Sequence, residues 1–312
     1  MMKIPIRRGI NFGDALEAPF EGAWGGHIIK DEYFKLVKDV GFDHVRLPIK
    51  WSVYTKKDSP YDIEKKIFDR VDHLIEQAFN NGLYIIINIH HYDEIMQDPL
   101  KEKDRFLSIW KQISEHYKNY PENLYFELLN EPTYNLVSDL WNQFLKEAIE
   151  IIRETNPDRK IVVGPDNWNS LYNLDRLIIP ENDKNIIVTF HYYNPFNFTH
   201  QGAGWVKINL PVGVKWLGID EEKQMIEKEL DMAVEWSKEH GNVPLYMGEF
   251  GAYSKADMES RARWTDFVAR SAEKRGIAWA YWEFFSGFGV YDPEKDEWRI
   301  PLLKALIPEA NL

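Results

Sequence analysis

Short apolar runs rich in β-branched residues recur along the chain, separated by longer stretches with apolar residues at three- and four-residue spacing. The short runs show little polar alternation, so they read as strands buried on both faces, as in a parallel sheet; the longer stretches read as amphipathic helices. Strands are predicted over 8–13, 44–49, 83–91, 124–130, 160–164, 186–192, 244–250 and 277–284, the clearest being LYIIINIHH at 83–91. Helices are predicted over 31–41, 63–81, 104–120, 138–155, 221–240, 258–275 and 302–307, with a shorter one near Leu174. Gly41 and Gly82 stand where helices commonly end, and Ser138 is read as an N-cap. Eight uninterrupted strand and helix units favour a closed (β/α)8 barrel, one domain over 1–312, over an open doubly wound sheet. A Gly-rich phosphate loop after the first strand is absent, and no linker or low-complexity stretch marks an appended module.

In such a barrel, chemistry sits at the carboxyl ends of the strands and in the loops beyond them. In order, these ends carry Asn11, Arg46, His90 and His91, Asn130 and Glu131, Trp168, His191 and Tyr193, Glu249, then Trp282 and Glu283. Any one of them suits a cap or a loop hydrogen bond. So many polar groups converging on one mouth would cost folding energy unless a site used them. Strands four and seven face each other across a barrel, so Glu131 and Glu249 can flank a single bond. Acetal cleavage needs that arrangement: one carboxyl protonates the leaving oxygen while the other attacks or stabilises an oxocarbenium-like carbon. The two environments must then push the acidities apart. Glu249 is expected to stay ionised, supported by Arg46 and Tyr193, and Glu131 to be raised by partial burial and by the charge of Glu249.

Composition narrows the ligand. A net charge of −12 argues against nucleic acid, because phosphate binding needs clustered Lys and Arg. Aromatic residues make up 14% of the chain, with 12 Trp, which exceeds ordinary core needs and suggests planar faces for a flat ligand such as a sugar ring. There is no Cys, which excludes disulfides, thiolate metal sites and a Cys nucleophile. Residues 1–8 hold no apolar run long enough for a leader, and no segment approaches a membrane span. The compartment stays open: extracellular if a leader has been removed, otherwise cytoplasmic. A monomer without a membrane partner is expected. Absent Cys, 28% charged residues and Glu-, Lys- and Arg-rich helices are consistent with a thermophilic source.

Six strings bring a family into view: GINFGDALEAP at 9–19, INIHHY at 87–92, LLNEP at 128–132, HYYNPF at 191–196, MGEFG at 247–251 and AYWEF at 280–284. Together they resemble glycoside hydrolase family 5 over essentially the full length, and within it the thermophilic endoglucanases, some of which also cut mannan. The resemblance implies retaining hydrolysis of β-1,4-glucan, with mannan a second substrate, Glu131 as acid/base and Glu249 as nucleophile. It implies that Asn130 binds the sugar 2-hydroxyl, that Arg46 and Tyr193 hold the nucleophile, that His90 and His91 are subsite histidines, and that His191 lies near the acid/base. Trp282 becomes the stacking platform before the cut, followed by a non-proline cis peptide. Asn11 and Trp168 are counted with the substrate contacts, as are His200 and Trp205 in the loop 197–220, where Trp216 could also line a subsite. Neither metal nor organic cofactor is implied.

Three other readings remain open at this point. A metal-dependent hydrolase would use His90, His91, His191 and Glu249, although neighbouring strand histidines tend to face opposite ways. A non-catalytic glycan-binding barrel would usually lack one of the two carboxylates. An exo-acting β-glucosidase would share both, but short connections after strands two, three and seven suggest an open cleft.

Overall fold

The computed structural model describes residues 4–311; residues 1–3, part of the segment read for a leader, and residue 312 lie outside them. The apolar runs form β1 (Arg8–Asn11), β2 (His44–Leu47), β3 (Tyr84–Asn88), β4 (Leu124–Glu127), β5 (Ile161–Val163), β6 (Ile186–Tyr192), β7 (Leu245–Phe250) and β8 (Ala278–Tyr281). They close in sequence order into a parallel barrel, β1 meeting β8 with Gly9 beside Ala280 and Ile10 beside Tyr281. The helices are α1 (Glu32–Val40), α2 (Lys65–Asn80), α3 (Asp93–Gln97), α4 (Pro99–His116), α5 (Ser138–Thr155), α6 (Asp166–Asn169), α7 (Phe196–Thr199), α8 (Asp220–Glu239), α9 (Met258–Lys274) and α10 (Ile300–Leu306). This is the predicted (β/α)8 architecture. The fifth unit is the thinnest, with only α6, a single turn whose Asn167 and Trp168 are left-handed rather than α-helical, and a 3-10 turn at Leu171–Arg176 between β5 and β6.

Both faces of the strands are buried, which is why their sequences lack alternation. Outward residues such as Ile85, Ile87, Phe126, Met247 and Trp279 meet the helices, while Ile86, Tyr125, Val162, Ile187, Tyr246 and Ala280 fill the barrel. Each fully buried aliphatic side chain contributes roughly 1.5–3 kcal/mol. One step nearer the mouth, the period of two brings Asn11, Arg46, Asn88 and Glu127 inward, and all four are buried.

Some details depart from the predicted elements. Gly41, at φ 114°, closes α1 as expected, its N–H bonding Lys38 and Val37 carbonyls. Ser138 is not an N-cap: Val137 takes that position, and Ser138, at φ 49°, donates its N–H to Asp166 Oδ2 at 2.6 Å. Helix α4 starts five residues earlier than predicted, with Pro99 in its first turn and the Asp98 side chain accepting from Lys101 N–H. Several strands end sooner, so His90, His91, Asn130 and Trp282 project from loops. No helix among the described residues is long and apolar enough to cross a membrane.

Candidate active site

Arg46, on the inner face of β2, organises the mouth. It is fully buried, and all five of its N–H bonds are used. Nε and Nη2 donate to the two oxygens of Glu127 at 2.6 and 2.7 Å, Nη1 to Asn11 Oδ1 and Glu249 Oε1 at 2.8 Å each, and Nη2 to Asn130 Oδ1 at 2.8 Å. The guanidinium therefore ties β1, β4 and β7 together. Its charge is matched by two carboxylates, without which burial would be prohibitive.

Asn11 does not reach a ligand, contrary to expectation. Its Oδ1 serves Arg46, and its Nδ2 lies 3.0 Å from the Gly248 carbonyl and 3.2 Å from that of Tyr281, leaving no exposed surface. Arg46 likewise acts through its partners. Asn130 differs: with Oδ1 held by Arg46, its Nδ2 has no protein acceptor among the described residues and is free for a ligand hydroxyl.

Between β6 and β7 the register slips at Phe190/His191, so that His191 pairs with Glu249 and Gly248 is the extra residue. Bulges of this kind re-aim side chains next to active sites. Here the bulge brings His191 Nδ1 to 2.7 Å from Glu131 Oε1 and 3.5 Å from Glu249 Oε2. Glu249 is completed by the Tyr193 hydroxyl, which donates to Oε2 at 2.8 Å, and by His90 Nε2 at 4.0 Å from Oε1. The glycines flanking Glu249 serve protein packing: a Cβ on Gly251 would lie 2.2 Å from the Trp282 carbonyl oxygen, and one on Gly248 3.3 Å from His191 Nε2.

Glu131, Glu249 and His191 form a cluster whose ligating atoms all lie within 4.8 Å of one another. Such a trio can hold a cation, but the 2.7 Å His191–Glu131 contact is a hydrogen-bond length and suits a shared proton. The four-ligand set of the metal reading does not assemble. His91 turns to Trp24 at 5.6 Å, and His90 accepts from Asn88 through Nδ1. The two imidazoles touch edge to face at 4.6 Å rather than facing opposite ways, because β3 has already ended at Asn88.

Burial raises both glutamates, and the rise of Glu131 has a partly different cause from the one expected. Enclosure pushes the Glu131 carboxyl up to about 7, with Arg46 opposing and the charge of Glu127, not of Glu249, adding to the rise. Glu249 is also pushed upward by burial and by Glu131, while His191, Arg46 and Tyr193 pull it back. Burial lowers His191 to about 4, so its ring is neutral near pH 7.

On the Glu249 side, Trp282 stacks parallel to His90 at 5.6 Å, and the Trp282–Glu283 peptide is cis, as expected. Trp24 extends this wall past His91. Beyond Glu131 lies a hollow of about 630 Å³ lined by Tyr134, Trp168, Tyr172, Tyr193, Phe196, His200, Trp205 and Lys207. Trp168 is half exposed and meets Tyr134 edge to face at 5.5 Å. His200 forms its buried floor, stacked on Phe196 at 4.1 Å, whereas Trp205 is 59% exposed. Trp216 is no subsite residue: it is buried against Phe267 of α9. A larger hollow, about 990 Å³, lies on the outer flank along α5 and residues 178–185, away from the glutamates.

Sequence reasoning missed Glu127, Asn169, Trp24 and Tyr134. For Glu127 a signal existed, since it opens the run ELLNEP four residues before Glu131. Trp24, in the β1–α1 loop, had none.

A family model for cellulases, glycosyl hydrolase family 5, matches residues 10–286. Endoglucanase H of Acetivibrio thermocellus is 38% identical over 275 residues, which is 88% of this chain but 29% of that protein, so the chain spans under a third of that relative. Among solved structures, Thermotoga maritima Cel5A in complex with cellobiose is 50% identical with a TM-score of 0.94, covering 97% of each chain; the same figures hold for its complex with mannotriose. The architecture thus has solved counterparts at half the sequence identical, and the chain belongs to the cellulases of glycosyl hydrolase family 5.

Proposed function

We propose that the chain is an endo-acting β-1,4-glucanase that works with retention and accepts β-1,4-mannan as a second substrate. The carrying observation is the spacing of the glutamates, with an oxygen of each within 4.8 Å of the other's. Retaining enzymes hold the carboxyls about 5–5.5 Å apart, whereas inverting ones leave about 6.5–9.5 Å for a water. Glu249, ionised and aimed by Arg46 and Tyr193, attacks the anomeric carbon. Glu131, pushed up to about 7, delivers its proton to the leaving oxygen, then takes one from the water that releases the glycosyl-enzyme. Asn130 Nδ2 meets the sugar 2-hydroxyl, and Trp282 with His90 and His91 carries the ring before the cut.

Aromatic walls continue on both sides of the pair, Trp24 and Trp282 on one and Trp168, Tyr134 and Trp205 on the other. A chain can therefore run through, which favours internal cutting over stepwise release from an end. Mannan enters on likeness to Cel5A, a structure of which holds mannotriose. The test is a time course on carboxymethyl cellulose, glucomannan, mannan and xylan. A rapid viscosity fall with mixed oligosaccharides, on glucan first and mannan second, is expected; monosaccharide alone from the start would return the β-glucosidase reading.

A further inference from the structure

Behind the acid/base lies a residue that the mechanism above does not use. Asn169 is fully buried, and its Nδ2 stands 3.3 Å from His191 Nε2, on the far side of the ring from Glu131. It ends three successive left-handed residues, Asn167 (φ 55°), Trp168 (φ 61°) and Asn169 (φ 52°), a conformation that Asn tolerates better than most side chains. Gly164 makes room for it: a Cβ there would lie 2.6 Å from Asn169 Oδ1. That oxygen has no partner among the described residues, so the ring contact is the one polar bond of the side chain.

We infer that Asn169 is a positioning residue that fixes the tautomer of His191, keeping the ring proton on Nδ1 so that it is donated to Glu131 Oε1. The inference rests on Glu131 as acid/base. An amide N–H aimed at Nε2 requires a lone pair there, and a neutral imidazole then carries its hydrogen on Nδ1. The opposite amide orientation would place Oδ1 on Nε2 and strip Nδ1 of its hydrogen. Nδ1 would then face two acceptors, Glu131 Oε1 at 2.7 Å and Glu249 Oε2 at 3.5 Å, and would draw the Glu131 proton onto Oε1. With Nδ1–H, Oε1 is occupied as an acceptor in both halves of the cycle. The exchangeable proton of Glu131 is thereby confined to Oε2, where a leaving oxygen can take it and a water can return it.

Two variants test this. Asn169→Asp keeps the shape but offers only acceptors, which demands a hydrogen on Nε2; Asn169→Gly suits the positive φ and removes the amide. Each should lose roughly tenfold or more additional kcat/KM on cellotetraose, whose leaving group needs a proton, than on 4-nitrophenyl β-cellobioside, whose leaving group needs little help. In protein carrying ¹⁵N-histidine, with His191 assigned by loss of its signal in His191→Gln, the wild-type ring should be protonated at Nδ1 alone. Asn169→Asp should add or move a proton to Nε2. A wild-type ring protonated at Nε2 alone, or equal losses on both substrates in the Asn169 variants, overturns the inference. Glu131→Ala run alongside keeps the two levels apart: if it too shows no dependence on leaving group, the acid assignment itself fails, whereas dependence in Glu131→Ala alone removes only the role of Asn169.

Discussion

Glu127→Gln removes one charge from the base of the site while keeping the side chain's shape. Arg46 is fully buried and Glu127 1% exposed, joined by two short hydrogen bonds of 2.6 and 2.7 Å. Breaking a buried ion pair on one side costs roughly 3–5 kcal/mol. Arg46 retains Glu249, and the Gln oxygen can still accept one bond, so about 3 kcal/mol is expected. At about 2.1 cal/mol/K per residue over 312 residues, 1 kcal/mol shifts the midpoint of thermal unfolding by about 1.5 °C, so it should fall by about 4–5 °C. The acidities shift as well. Glu127 lies four residues before Glu131, so at about 3.3 Å per residue their backbones, and on the order of the same distance their charges, are roughly 13 Å apart. At an effective permittivity near 20 that is worth about 1.3 kcal/mol, close to one pKa unit. Losing this repulsion lets Glu131 fall from about 7, and Arg46, left with one carboxylate, pulls harder on Glu249. Both limbs of the kcat/KM profile against pH should therefore move to lower pH, the alkaline limb by about one unit. A destabilised variant with unmoved limbs, or an alkaline limb displaced upward, would refute the electrostatic reasoning.

Three further outcomes follow from the same geometry. Glu131→Ala should lose far more kcat/KM on oligosaccharides than on aryl glycosides with acidic phenols; equal losses would sink the acid assignment. Asn11→Ala leaves a buried guanidinium N–H short of a partner and should lower stability by about 1–3 kcal/mol. Trp168→Ala should instead raise KM with little change in thermal midpoint, and the reverse pattern in this pair would undo the placement of Asn11. Burial holds Glu17, Glu131 and Glu283 at about 8, 7 and 8, all above the ordinary 4.5. The folded state thus binds protons more tightly than the unfolded chain, a stabilisation fully present below about 4.5 and lost as pH rises through about 8. The thermal midpoint should fall between about pH 5 and pH 9, less steeply in Glu283→Gln, and a midpoint that rises over this window would contradict it.

The barrel was legible in the sequence because strands buried on both faces write themselves as unbroken runs such as LYIIINIHH, and because Gly41 marks a helix end. Glu131 and Glu249 were singled out because their neighbours mark the mouth ends of the fourth and seventh strands, although β4 itself stops at Glu127 and leaves Glu131 in the loop beyond. Polar residues at the mouth were harder to sort. One or two positions along a strand separate a group that meets substrate from one that props it up, and hence Asn11 was misplaced and Glu127 overlooked. Local pattern also failed where distant segments decide. Asp166, beyond β5, takes the N–H of Ser138; α9 buries Trp216; Trp24 reaches His91 from the first loop. The slip at Phe190/His191 that aims His191 at both glutamates is a matter of pairing between strands, which a single strand's sequence does not encode.

Most direct for the central claim is trapping of the glycosyl-enzyme with 2,4-dinitrophenyl 2-deoxy-2-fluoro-β-cellobioside, followed by peptide mapping. Fluorine at C2 slows both steps by destabilising the oxocarbenium-like transition states, and the dinitrophenolate leaves without an acid, so the intermediate should accumulate. Retention with Glu249 as nucleophile requires one fluorocellobiosyl group on the peptide carrying Glu249 and none on that carrying Glu131. A label on Glu131, or no label together with release of the inverted anomer from ordinary substrate, would contradict the assignment.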